Sequence, residues 1–195
     1  MEVKLVNQIF DTGDGYWNKY SCGICVLKML IVFKKPELQS IPVMALLSQA
    51  LELGGYIDGV GWRHQTLADV AAFYDVPMSF QKEFYDTPEK KKVGIKVIDS
   101  KLNSELSRFS LRKAQPENRG SSMPSASGPV AVSVLKEFNI PDSAHLVVVE
   151  SVKKLGPLIL GYRVVDPYPG RRGNRYIVSK KDFLVGWRGG MIWLK

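Results

Sequence analysis

Metal-ligating side chains are scarce in this sequence: 195 residues hold two cysteines and two histidines. A structural zinc site takes four thiolate or imidazole ligands at close, regular spacing, and these four do not have it, so neither metal nor cofactor is expected. Long apolar runs are also missing. The longest, Ile24 to Phe33, is interrupted by Lys28 and falls far short of the roughly 20 residues that a bilayer span needs, so no membrane span is expected. The opening M-E-V-K-L-V-N-Q-I-F has too short an apolar run and no small-residue cleavage site for a secretory signal. A cytoplasmic location is the expectation, with export by another route left open. Acidic residues are outnumbered, 19 Asp and Glu against 27 Lys and Arg, giving a formal charge of +8. Such an excess points toward anionic partners. Its distribution points away from nucleic acid. The bases fall in small knots, Lys90 to Lys92, Arg171 with Arg172, and Lys180 with Lys181, with no aromatic residues regularly interleaved to form a stacking platform.

What remains is an ordinary globular composition, 45% hydrophobic and 24% charged, which predicts one domain over residues 1–195. Val3 to Phe10 reads as a short strand or extended lead-in, and D-T-G-D-G after it is turn chemistry. A helix starts near Ser21 or Cys22. Ile24, Val26, Leu27, Met29, Leu30 and Ile31 make it apolar nearly all round, the mark of a central buried helix, and it stops before Pro36. A second helix is predicted from about Pro42 to Leu53, ending at Gly54-Gly55, and a third from about Thr66 to Tyr74, ending before Pro77. Leu102, Leu106, Phe109 and Leu111 hint at a fourth. Residues 112–128 read as a flexible loop. Beyond it the period changes. Pro129 to Leu135, His145 to Val152, Leu158 to Val165, Arg175 to Val178 and Met191 to Leu194 read as strands joined by Gly, Pro, Asp and Lys turns. The predicted class is therefore α+β: a helical part over about 1–111 packed on an antiparallel sheet over 129–195.

Within that frame the chemistry-bearing residues are Cys22, at the mouth of the buried helix, and His145, which opens the apolar run H-L-V-V-V. A thiol with an ordinary pKa is mostly protonated at neutral pH, and a helix N-terminus together with an imidazolium depresses it. Gly23 lets backbone and ligand come close to the sulfur. A buried structural cysteine is the alternative reading of Cys22. Cys25 completes a C-x-x-C, but the polar, turn-rich lead-in is unlike the apolar strand that precedes a redox motif, and one helical turn from Cys22 it reads as a small core residue. Asp166, in V-V-D-P-Y-P-G at the end of the following strand, is within reach of the imidazole and suited to fix its tautomer, although Asp-Pro is also plain turn chemistry. An oxyanion forming on an attacked carbonyl needs donors, normally a backbone N–H and a side-chain amide. Gln8 is the leading amide and Asn18 the second. His64 and the tryptophans Trp62, Trp187 and Trp193 read first as packing residues or cleft walls.

The N-Q lead-in, Y-S-C-G before an apolar helix, G-V-G-W-R-H-Q-T-L-A-D-V-A-A-F-Y, G-P-V-A-V-S-V, H-L-V-V-V, V-V-D-P-Y-P-G and the closing F-L-V-G-W-R-G-G-M-I-W-L occur in one order over nearly the whole chain. Together they resemble the C39-like branch (family thirty-nine) of papain-like cysteine peptidases, relatives of the bacteriocin double-glycine leader peptidases. The resemblance implies the papain-like fold, Cys22 as nucleophile, His145 as general base, Asp166 as its orienter and Gln8 as the oxyanion glutamine. In the leader peptidases that glutamine lies close before the cysteine, whereas here the two are fourteen positions apart.

The expected activity is hydrolysis of a peptide bond in a peptide or protein substrate. Two other readings stand beside it. One keeps the fold as a peptide-binding module, or as an amidase or acyl-transferase with the same dyad. The other is a basic protein that binds anionic polymers with steep salt dependence. Substrate specificity would lie in Gly54 to Gln65 and Arg112 to Gly128, and neither the substrate nor the oligomeric state is legible.

Overall fold

Helix α1, Cys22–Lys34, buries Gly23, Ile24, Cys25, Val26, Leu27, Met29, Leu30, Ile31 and Val32, so apart from Lys28 it meets packed side chains on every flank. It ends at Lys35, ahead of Pro36, which disfavours helical geometry in the residue before it. In the computed structural model, which describes residues 2–81, 87–102 and 128–195, this helix lies between two further helices and a sheet. Helix α2, Val43–Glu52, buries Val43, Leu46, Leu47 and Ala50 along one stripe. It is followed by Gly54 at φ 63°, in the left-handed region that favours glycine. Strands β1, Tyr56–Ile57, and β2, Gly61–Trp62, form a small hairpin. Helix α3, His64–Phe73, begins two residues before the expected Thr66. Thr66 does not cap this helix. Its side chain is buried and packs so closely on Gly55 that a Cβ there would meet its Cγ2 at 2.5 Å.

Strand β3, Met78–Gln81, and helix α4, Pro88–Leu102, complete the first half. The expected fourth helix is centred on residues that lie, from 103 onward, outside the described ones, as does the loop 112–127. Then come β4, Val130–Lys136; β5, Ile140–Leu155; β6, Leu158–Val165; β7, Arg175–Ser179; helix α5, Lys180–Gly186; and β8, Trp187–Leu194. Residues 3–7 run as an extended lead-in without strand pairing. The main sheet has the order β3-β8-β4-β5-β6-β7 with every pair antiparallel. The chain is α+β, and its helical half also contributes β3, which pairs Met78 with Leu194 and Gln81 with Met191.

Side-chain alternation sorts this sheet into two buried faces. Ala131, Leu146, Val148, Val165 and Ile192 pack with α1, α2 and α3. Val130, Val132, Val134, Val147, Val149, Tyr162 and Val164 pack instead with Ile95 and Ile98 of α4 and Phe183 of α5. A sheet covered on both sides needs nearly continuous apolar strands, which is what V-A-V-S-V-L and H-L-V-V-V supply. His145 is consequently not the first residue of its strand. It is the sixth of a sixteen-residue strand, paired with Val134 of β4.

Candidate active site

Cys22 is the first residue of α1, and the preceding Ser21 gives the helix no side-chain cap. The Ser21 hydroxyl is instead buried 2.8 Å from that of Thr12. The N–H groups of the first turn, at Cys22, Gly23 and Ile24, have no carbonyl partner within the helix and receive no side-chain cap from Ser21. On the other side, the loop after α2 brings Trp62 against the same turn. Its Nε1 donates to the Tyr20 carbonyl at 2.6 Å, and its side chain lies over Gly23 so closely that a Cβ there would fall 2.6 to 2.9 Å from it. Gly23 is required by that indole.

The neighbouring strands β5 and β6 carry the other two groups. Val148 of β5 pairs with Val165 of β6, so the next residue of the chain, Asp166, stands level with the His145 end of β5. His145 Nε2 and Asp166 Oδ1 are 2.7 Å apart, both residues buried. With Nε2 engaged, Nδ1 is the ring nitrogen left for Cys22, which lines the same cleft as His145. Asp166 is itself fully held. Its Oδ1 also accepts from the Tyr168 backbone N–H at 2.8 Å, and its Oδ2 accepts from the Tyr176 hydroxyl at 2.9 Å. Its main chain bonds Asn174 twice, through its own N–H and through its carbonyl. Tyr176 and Asn174 escaped the sequence reading because they reach Asp166 only through the β6–β7 pairing, which local periodicity does not encode.

The titration of the pair follows from these contacts. Burial acts to raise the Cys22 thiol, but the hydrogen bond and charge of His145 and the backbone N–H of Leu146 outweigh it, so the thiol lies below its ordinary value. Burial acts to lower His145, and the bonds to Asp166 and Cys22 more than reverse it, so the imidazole lies above its ordinary value. Both directions favour a thiolate–imidazolium pair. Cys25, one turn further into the core, is pushed up to about 12, chiefly by burial. The two sulfurs are free thiols in opposite electrostatic settings.

A small thiol-directed electrophile is therefore expected to modify Cys22 at and below neutral pH and to leave Cys25 untouched, a selectivity on the order of 100-fold or more. Mass-spectrometric mapping of the alkylated sites across pH reads this out. Equal labelling of both sulfurs, or labelling of Cys22 only in the ordinary thiol range, would contradict the assignment of charge.

The cleft at the thiol is small, about 50 Å³, and is lined by Cys22, Val60, Gly61, Trp62, His64, Ser133, Ala144, His145, Leu146 and Arg188. The segment Gly54 to Gln65 thus supplies one wall, as the sequence suggested. Trp62 is a wall residue, while Trp187 is fully buried in the core. Gln8 and Asn18 are not among the lining residues. Gln8 is buried, its Nε2 donates to the Asn18 carbonyl at 2.8 Å, and its backbone N–H donates to Pro167, the residue after Asp166. The two amide candidates are therefore in direct contact.

No protein-family model matches this chain, and no curated protein sequence matches it. Solved structures do. The peptidase domain of Streptococcus ComA, a bi-functional ABC transporter involved in a quorum-sensing pathway, matches with a TM-score of 0.57 at 16% identity, over 99% of this chain and 98% of that one. The peptidase domain of Streptococcus mutans ComA matches at 0.50 and 17%, over 98% of each chain. A double glycine motif protease from an AMS/PCAT transporter, solved in complex with the leader peptide, matches at 0.50 and 15%, over 89% of this chain and 83% of that one. The shared property is the fold: this chain is built as the C39, papain-like peptidase domains are built. Among the described residues, no helix is long and apolar enough to cross a membrane.

Proposed function

We propose that the protein is a cysteine peptidase in which Cys22 is the nucleophile, His145 the acid–base group and Asp166 its orienting partner. The observation that carries this reading is the meeting of the three side chains, brought from α1, β5 and the end of β6, on a fold shared with peptidase domains. The Cys22 thiolate attacks the scissile carbonyl carbon and a tetrahedral oxyanion forms. The His145 imidazolium then gives its proton to the leaving amine, and a thioester remains on the sulfur. A water, deprotonated by the now neutral His145, attacks the thioester, and the carboxylic acid leaves with the thiol regenerated. The oxyanion is held by the uncapped N–H groups at the start of α1, while Gln8, outside the cleft lining with its Nε2 on the Asn18 carbonyl, braces the segment that leads into that helix.

The smallness of the cleft and the indole over Gly23 favour residues with little or no side chain at the scissile bond. A relative of the same fold is a double glycine motif protease crystallised with a leader peptide, and a glycine-containing cleavage site is the substrate we infer here. Rapid acid quenching of a reaction with such a peptide should trap an acyl thioester on Cys22, seen by mass spectrometry, followed by release of the free acid. An acyl group passed to an added amine in preference to water would identify an acyl-transferase on the same fold. Binding without any thioester would identify a peptide-binding module.

A further inference from the structure

Strand β8 leaves regular pairing at the cleft. Val132 of β4 pairs with Met191 and Val134 with Trp187, so Arg188, Gly189 and Gly190 together stand against Ser133 alone. A bulge of this kind bends the strand and re-aims side chains. It is firmly built. The buried Trp187 donates from Nε1 to the Gly190 carbonyl at 3.0 Å, Gly189 sits at φ 90°, and a Cβ on Gly190 would come within 2.6 Å of the His64 ring. Two of the three bulge residues are therefore glycines by necessity. The third, Arg188, is half-buried and lines the cleft with Cys22, His64, Ser133 and His145.

Four other cations are paired with carboxylates: Arg175 with Glu150 and Glu2, Arg163 with Glu150, Lys35 with Asp75 and Lys180 with Asp99. Arg188 makes neither an ion pair nor a hydrogen bond among the described residues, and no residue lining the cleft is acidic. A guanidinium that gives up part of its hydration without a partner is a costly arrangement unless a ligand completes it.

We propose that Arg188 is a specificity-determining residue that receives a carboxylate of the substrate beside the scissile bond, with the Ser133 hydroxyl as a second donor. The planar fork of a guanidinium matches a carboxylate with two parallel hydrogen bonds, and the small cleft holds it close to the thiol. The carboxylate comes either from an Asp or Glu flanking the scissile bond or from the free C-terminus of a short leaving segment. This deepens the peptidase reading and rests on it.

Two measurements on the intact protein test it. In the first, kcat/KM is compared for peptides carrying Asp or Glu against Asn or Gln beside the cleavage site, and for the same peptides with free or amidated C-termini close after it. The wild type should prefer one acid form over its amide by about 10- to 100-fold, the range expected for hydrogen bonds to a charged group. Arg188→Gln should erase that preference and Arg188→Glu should turn it toward lysine. The acid that matters identifies the source of the carboxylate. In the second, the alkylation rate of Cys22 by iodoacetate is divided by its rate with iodoacetamide. Arg188→Gln should lower this ratio severalfold while His145 remains in place. Indifference of the wild type to both kinds of acid, or an unchanged ratio in the variant, would overturn the proposal. If no peptide is cleaved, the peptidase reading has failed and the alkylation ratio alone decides on Arg188.

Discussion

Replacing Cys22 by Ala should remove peptide hydrolysis while leaving the protein folded. Loss of the nucleophile from a catalytic group acting as a unit costs on the order of 10⁶ in kcat in a serine peptidase, and a thiol enzyme has no other atom to form the acyl bond. The fold has reason to survive. Cys22 is only half-buried at the first turn of α1, alanine is a good helix former, and the burial of Ile24, Leu27 and Ile31 is untouched. Cys25→Ala supplies the contrast. That sulfur is fully buried beside Thr12 and Ser21, so its removal should cost about 1 kcal/mol of stability with turnover retained. Hydrolysis at wild-type rate by the Cys22 variant, with its melting temperature unchanged, would exclude the mechanism and leave Cys22 as a packing residue.

The legible parts of this molecule are those whose physics is local. A helix apolar on all sides, ended by Pro36, and strands read from β-branched runs need only near neighbours in sequence, and they emerge close to their expected bounds. Helix α4 was hidden because P-E-K-K-K-V-G-I-K-V-I-D-S-K-L is polar overall, and only Gly94, Ile95 and Ile98 are buried. Strand β3 is four residues long and is a strand only because β8 lies beside it. The same distinction holds at the site. Cys22 advertised itself through its place at the start of α1, and Asp166 through the turn at the end of β6. The hydroxyl that holds Asp166 belongs to Tyr176 on β7, and the bulge that turns Arg188 into the cleft exists only through mispairing with β4. Neither leaves a local trace. Gln8 stands between these cases, since its contact with Asn18 depends on how residues 9–17 loop back, which turn composition alone does not fix.

Asp166→Asn is expected to reduce kcat/KM about 10- to 100-fold at neutral pH, less than the roughly 10⁴-fold seen for the equivalent change in a serine triad. The difference lies in the resting state. A serine enzyme needs one neutral tautomer of its histidine, and an amide in place of the carboxylate selects the wrong one. Here the imidazole rests protonated beside a thiolate, both ring nitrogens already carry hydrogens, and no tautomer is lost. The amide also fits the network. With its oxygen toward His145 Nε2 and the Tyr168 N–H, its NH₂ faces a Tyr176 hydroxyl that can turn to accept, so every bond of the carboxylate has a replacement. What disappears is the charge that helps hold His145 above its ordinary value and that, acting directly on Cys22, opposes the thiolate. Both limbs of the pH–rate profile should therefore move downward, the alkaline limb further because the imidazole also loses its hydrogen-bonded carboxylate. Stability carries the same sign. A histidine raised in the folded state contributes stability that is complete below about pH 6.5, its ordinary value, and is lost as pH rises through the folded value. The gap in unfolding free energy between wild type and Asp166→Asn should therefore be widest in mild acid and close toward high pH. A gap that widens with rising pH would mean that the imidazole is neutral in the resting protein, and the ion-pair mechanism would not stand.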